Sequence, residues 1–198
     1  MRSLDHINLI RLDSVYESNN SYYIVMELFY GGNLKDYVKS CGVLSEKRAS
    51  KLMKNILKGV KFMHSRNIMH RDIKPENILF RSKTISDETQ VVLADMGLAT
   101  YNNVEKYLFP RCGTPGFVAP EIALIKDTDD HYELKCDLYS FGVTLYFILT
   151  GRLPYPGKND LIRENKDCIV DFAKSEIYRN LSNEGKKKIK KKLYIKIF

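Results

Sequence analysis

His70-Arg71-Asp72-Ile73-Lys74-Pro75-Glu76-Asn77 sets two carboxylates, two fixed cations, an imidazole and an amide into one short stretch of chain. Short apolar runs flank it, Asn67–Met69 before and Ile78–Phe80 after, and a third run, Val91–Leu93, follows. Such a stretch reads as a polar loop held out by two short strands. Upstream, Ser45 is a helix N-cap, and Ala49, Met53, Ile56, Val60 and Met63 recur at three- and four-residue steps. That periodicity predicts an amphipathic helix from Ser45 to about Arg66 whose stripe is core. Earlier still, Leu9–Tyr16 and Tyr22–Leu28 read as a hairpin. Tyr30-Gly31-Gly32-Asn33 breaks the chain before a short helix over Leu34–Lys39. Downstream, Asp95–Glu121 has Gly and Pro punctuation and little periodicity, which predicts a long ordered loop of the functional kind. An apolar helix around Leu138–Leu149 and a turn Gly151…Pro154…Pro156-Gly157 complete the pattern.

Composition removes several classes. With 198 residues, 44% hydrophobic and 11% aromatic, the chain can bury a sizeable core and is not intrinsically disordered. The formal charge of +8 invites a nucleic-acid reading, but Lys158–Phe198 alone holds 12 Lys/Arg against 6 Asp/Glu. The body is therefore close to neutral, and no nucleic-acid partner is expected; the run Lys186–Lys192 reads as a solvated helix face. Cys41, Cys112, Cys136 and Cys168 are widely spaced, without a zinc pattern or a disulfide framework. The longest apolar stretch, Leu138–Thr150, is 13 residues, short of the roughly 20 of a membrane span. No membrane partner is expected, and the expected setting is cytoplasmic and reducing. Nothing in the sequence addresses oligomeric state.

The His70–Asn77 segment resembles the catalytic loop of protein kinases at every signature position, with Ile73 where Leu is commoner. Asp95-Met96-Gly97 stands in the place of the family's Asp-Phe-Gly, 18 residues after Asn77, and Ala119-Pro120-Glu121 matches its Ala-Pro-Glu. Cys112-Gly113-Thr114-Pro115-Gly116-Phe117-Val118 resembles the loop of calmodulin-dependent-type serine/threonine kinases. Asp137–Val143 is similar to the central C-lobe helix, with Tyr139 for the usual Trp. The resemblance runs from about Leu4 to Leu193. It implies an α+β protein-kinase-like fold, mostly the helical C-lobe plus a hairpin and hinge from the N-lobe. Residues 1–28 would be an N-lobe remnant, and 29–198 the hinge and an incomplete C-lobe.

The resemblance also implies an activity, transfer of the ATP γ-phosphate to a protein Ser or Thr hydroxyl, with ATP and Mg²⁺ as cofactors and a protein as substrate. Positioning and charge stabilisation are what that transfer needs. Asp72 would orient the attacking hydroxyl. Lys74 would carry positive charge to the phosphate, and Thr114 marks the serine/threonine branch. Asn77 and Asp95 would supply hard oxygen ligands to Mg²⁺. In the hinge, Met26 would stand behind adenine while the Glu27 carbonyl and Phe29 N–H pair with its edge. Asn33 and Glu76 would face the ribose, and Leu79 would form the floor. Glu76 also stands where basic-directed kinases hold an acid for a substrate Arg.

Further expectations concern the scaffold. His70 packs in the core, and Asp137 bonds catalytic-loop backbone. Met96 fills the hydrophobic site that Phe usually fills. Arg71 would pair with a phosphate on the activation loop, yet the position two before Cys112 is Pro110, leaving Thr100, Tyr101 and Tyr107 as acceptors and Glu105 as a stand-in charge. Phosphorylation at the usual Thr is therefore not the expected switch. Within the 198 residues there is no Gly-x-Gly-x-x-Gly and no Val-Ala-x-Lys. Two readings follow: a kinase catalytic domain cut at both ends, or an inactive kinase-like binding module. Either predicts very weak or no phosphate transfer by this polypeptide, a hairpin with open edges, and Glu121 without a cationic partner.

Overall fold

The computed structural model describes residues 4–82, 90–125, 132–154 and 176–193. The Pro156-Gly157 turn, Cys168 and much of the basic tail lie outside them. β1 (Leu12–Ser18) and β2 (Ser21–Met26) form the antiparallel hairpin, with Ser18 opposite Ser21. The first strand starts later than its apolar run suggests. Leu9 and Ile10 turn inward instead: Leu9 bridges Leu93, and Ile10 N–H donates to Leu93 O at 2.9 Å. Burial decides this, because Leu9 packs against Gly59, where a Cβ would lie only 2.9 Å from Leu9 Cδ2. Tyr16, Tyr22, Tyr23 and Ile24 of the hairpin are exposed.

α1 spans Leu34–Cys41 and is capped by Asn33, whose Oδ1 accepts from Asp36 N–H at 2.9 Å. α2 spans Glu46–His64 behind its Ser45 cap. All five stripe residues are buried, together with Leu52 and Gly59. Each large apolar member contributes on the order of 1.5–3 kcal/mol of transfer free energy, so packing of this face holds the helix in place.

Three short strands follow the predicted apolar runs. β3 (Ile68–Met69), β4 (Ile78–Phe80) and β5 (Val91–Leu93) are as expected, and β4 pairs antiparallel with β5. A sixth strand, β6 (Thr100–Tyr101), pairs with β3 inside the stretch read as loop. Two residues carry no usable period, so only the partner reveals it. α3 (Pro120–Leu124) begins with Pro at its first turn. α4 (Lys135–Thr150) is buried nearly all round and lies at the centre of the helical region. α5 (Glu176–Asn180) and α6 (Asn183–Leu193) pack on it, and α6 buries Ile189 in the core. Glu46, at the start of α2, accepts from Ser182 N–H at 2.7 Å, which ties α6 to α2.

Candidate active site

The polar residues of α4 organise the loop. Asp137, Ser140 and Thr144 follow i, i+3, i+7 spacing and so share one face. Asp137 is completely buried; its Oδ2 accepts from His70 N–H at 2.9 Å and its Oδ1 from Arg71 N–H at 2.8 Å. Ser140 Oγ donates to Phe117 O at 2.8 Å, and Thr144 Oγ1 lies 3.5 Å from Ile73 O. One helix thus grips the His70–Asn77 loop and the loop before α3 by their backbones. His64 completes the set, with Nε2 2.8 Å from Asp137 Oδ2. Sequence reading missed it, although His64 stands four residues after Val60, on the apolar stripe.

His70 is buried as expected. Its Nε2 faces Ala94 O at 3.0 Å and its Nδ1 accepts from Asp72 N–H at 3.2 Å, which places the imidazole proton on Nε2. Arg71 has φ +67°, a left-handed conformation that costs about 1–2 kcal/mol in a non-glycine residue and that this web of bonds holds in place.

Around Asp72 the gathered groups are close. Oδ1 accepts from Thr114 Oγ1 at 2.6 Å and Thr114 N–H at 3.1 Å, and Oδ2 accepts from Lys74 Nζ at 2.7 Å and Asn77 Nδ2 at 3.2 Å. Lys74 Nζ also donates to Thr114 Oγ1 at 2.7 Å. Burial pushes the Asp72 carboxyl up, but the bonds from Lys74, Thr114 and Asn77 outweigh it and hold its pKa below the ordinary value. The approach of Thr114 depends on Gly113, whose φ is +108° and where a Cβ would sit 3.0 Å from Arg71 O. Four residues from two segments far apart in sequence therefore form one charge-balanced cluster.

Asn77 also donates to Asp72 O at 2.9 Å, so its nitrogen is committed to the loop and its amide oxygen remains for a ligand. Ala94 N–H donates to Asn77 O at 2.8 Å, bringing Asp95 alongside. Asp95 is exposed, adopts φ +60°, and among the described residues accepts only from Gly97 N–H at 3.2 Å. Among the described residues no cluster of three or more His, Cys, Asp or Glu is arranged to hold a metal. Two hard oxygen donors nevertheless suit Mg²⁺, which keeps several waters and shares substrate phosphates. Met96 is buried in the core.

The hinge is fastened to β4. Gly31 N–H donates to Phe80 O at 3.1 Å and Phe80 N–H to Gly32 O at 3.0 Å, and Asn33 bridges Leu79. Arg81 was not foreseen: its guanidinium bonds the Glu27 carboxylate, donates to Ile7 O at 3.0 Å and lies over the Phe29 ring. No local signal marks it, because its partners are distant in sequence. Among the described residues neither the Glu27 carbonyl nor the Phe29 N–H has a backbone partner, which fits pairing with a purine edge. Met26 ends β2 and is exposed, and Leu79 is partly buried. Asn33 is occupied as the α1 cap, and its Nδ2 donates to Asp36 Oδ2 at 2.8 Å. Glu76 is ion-paired with Lys35 through one oxygen, while its other oxygen is buried without a partner among the described residues.

These segments meet in the order that the motifs imply, and sequence comparison decides the family. A family model described as the protein kinase domain matches residues 1–195. The chain belongs to the protein kinase domain family. The chain is 39% identical over 198 residues to Calcium-dependent protein kinase 3 of Plasmodium berghei (strain Anka), covering 98% of this chain and 34% of that protein. It is 35% identical over 195 residues to Calcium-dependent protein kinase 4 of Plasmodium falciparum (isolate 3D7), covering 98% and 36%. It is 42% identical over 160 residues to Calcium-dependent protein kinase 5 of the same isolate, covering 81% and 27%. The chain thus spans about a third of the length of these relatives. The expected protein-kinase-like fold stands, and no helix among the described residues is long and apolar enough to cross a membrane.

Proposed function

We propose that this chain is catalytic-domain sequence of a serine/threonine protein kinase that uses ATP and Mg²⁺ to phosphorylate a protein hydroxyl. The observation that carries the reading is the Asp72 carboxylate gathered with Lys74, Asn77 and Thr114. Asp72, held ionised, accepts the hydrogen bond of the attacking hydroxyl and aims it. Lys74 is placed to share its charge with a transferring phosphoryl group, and Thr114 keeps Lys74 and Asp72 in register. Asn77 and Asp95 offer the oxygen atoms for Mg²⁺, which when bound neutralises phosphate charge. Glu27 and Phe29 would hold adenine through backbone groups, with Met26 behind it, Leu79 beneath it, and Asn33 and Glu76 toward the ribose.

The second reading is an inactive kinase-like module. The kinase names of the relatives and the assembled Asp72 cluster weigh against it. Radiolabel transfer from Mg·ATP to a serine peptide tests the choice. Transfer by the full chain that falls about 10²–10⁴-fold in Asp72→Asn supports the kinase reading. Equal background in both proteins, with no Mg²⁺-dependent nucleotide binding, supports the module.

A further inference from the structure

Arg71 carries a buried cation, and the residue is only 4% exposed. Its Nε donates to Leu98 O at 2.6 Å, and one terminal nitrogen donates to Phe109 O at 2.7 Å and to Tyr132 Oη at 2.7 Å. All three acceptors are neutral. They lie just after Asp95-Met96-Gly97, shortly before Cys112, and between α3 and α4, so a single guanidinium joins the start and the middle of the activation segment, Asp95–Glu121, to the His70–Asn77 loop. Tyr107 closes the arrangement. Its ring packs on Tyr132 at 4.8 Å between centroids, its hydroxyl donates to Tyr132 O at 3.0 Å, and its face lies 5.5 Å from the Arg71 guanidinium carbon. Tyr107, expected from sequence as a phosphate acceptor, is buried and therefore sheltered from modification in this conformation.

A buried cation needs its donors satisfied. Here two carbonyls and a phenol oxygen take three of the five guanidinium N–H groups, and an aromatic face lies alongside. We propose that Tyr107 and Tyr132 are positioning residues that hold the activation segment, and through Arg71 the catalytic loop beside Asp72, without a phosphate on the segment. The proposal rests on the kinase reading for its functional meaning, but its geometry is testable whether or not the chain transfers phosphate. Burial that pushes the Tyr132 hydroxyl well above its ordinary range keeps it protonated, so it meets Arg71 as a neutral acceptor.

The test is hydrogen exchange on the full chain, treated with phosphatase and shown by intact mass to carry no phosphate. Wild-type amides in 98–113 are expected to be protected before and after treatment. Tyr132→Phe, which keeps the ring and removes the oxygen, is expected to speed exchange in 98–113 about tenfold while amides of α2 stay within twofold. Tyr107→Leu should do the same, and Tyr107→Phe should restore most of the protection by keeping the stacked ring. The nuclear magnetic resonance signal of the Arg71 Nε–H, slowly exchanging in the wild type, should broaden or vanish in Tyr132→Phe. Loss of protection on dephosphorylation of the wild type overturns the proposal. So does unchanged exchange in 98–113 for both Tyr132→Phe and Tyr107→Leu. A variant that exchanges faster everywhere, α2 included, also counts against it, because the pair would then hold the whole fold. Mg²⁺-dependent nucleotide binding, measured on the same samples, reports on the kinase reading separately.

Discussion

Asp137→Asn replaces one oxygen by an NH₂ group of nearly the same size and leaves the helix otherwise untouched. Asp137 accepts three bonds at 2.8–2.9 Å, from His64, His70 and Arg71, in a site closed to water. The less costly Asn rotamer keeps its oxygen toward His64 and His70 and turns two N–H donors face to face at Arg71. A hydrogen bond to a charged acceptor is worth about 1.5–3 kcal/mol, and the stranded Arg71 N–H costs about 1–3 kcal/mol more. Removing a buried charge recovers some desolvation, so the lower part of that sum, about 3 kcal/mol, is the expected loss. In a chain of this size that corresponds to a fall in Tm of roughly 6–12 °C. The control is the same chemical change at Asp95, an exposed carboxylate with φ +60°, a conformation Asn tolerates well. Asp95→Asn should leave stability within about 0.5 kcal/mol of the wild type. Urea unfolding followed by circular dichroism measures both. An Asp137→Asn loss under 1 kcal/mol, or an equal loss for Asp95→Asn, would refute the argument that Asp137 organises the loop.

Other consequences concern charge and close packing. Burial raises the Glu121 carboxyl, and no ion pair to it exists among the described residues, so ionising it in the fold is penalised. The penalty is absent below the unfolded carboxylate range and grows as pH rises through it. Glu121→Gln should therefore raise Tm at pH 7.5 and leave it unchanged near pH 4; a fall at pH 7.5 counts against this. Gly31→Ala would put a Cβ 2.3 Å from Ser82 O and 2.5 Å from Phe80 Cβ, forcing the hinge off β4. The expected cost is about 1–3 kcal/mol in urea unfolding, with weaker nucleotide binding. Thr114→Ala removes a 2.6 Å bond that helps hold Asp72 ionised, so the Asp72 pKa should rise toward its ordinary value. The acid limb of any Asp72-dependent transfer should then move to higher pH, and an unmoved limb shows that Thr114 does not tune Asp72.

The linear sequence by itself determined α1, α2, α4, the hairpin and the family, but not α3 or α5. The α2 stripe, its Ser45 cap and the apolar runs of β3, β4 and β5 are local patterns, and local patterns report local structure. The motif order likewise named Asp72, Lys74, Asn77, Asp95 and Thr114, because each stands at a fixed offset from its neighbours along the chain. What only the tertiary structure decided are the meetings between distant residues. Leu9 left the hairpin for β5 because Gly59 makes room for it. Thr100 and Tyr101 became a strand because Ile68 and Met69 were there to pair with them. Arg81 reached the hinge, His64 reached Asp137, and Arg71 met two distant carbonyls and the Tyr132 phenol. Hydrogen bonds form between groups within about 3 Å of each other, however far apart they stand in sequence. Periodicity and motif spacing record what each residue is; the fold decides which unpaired donor and which unpaired acceptor are brought together.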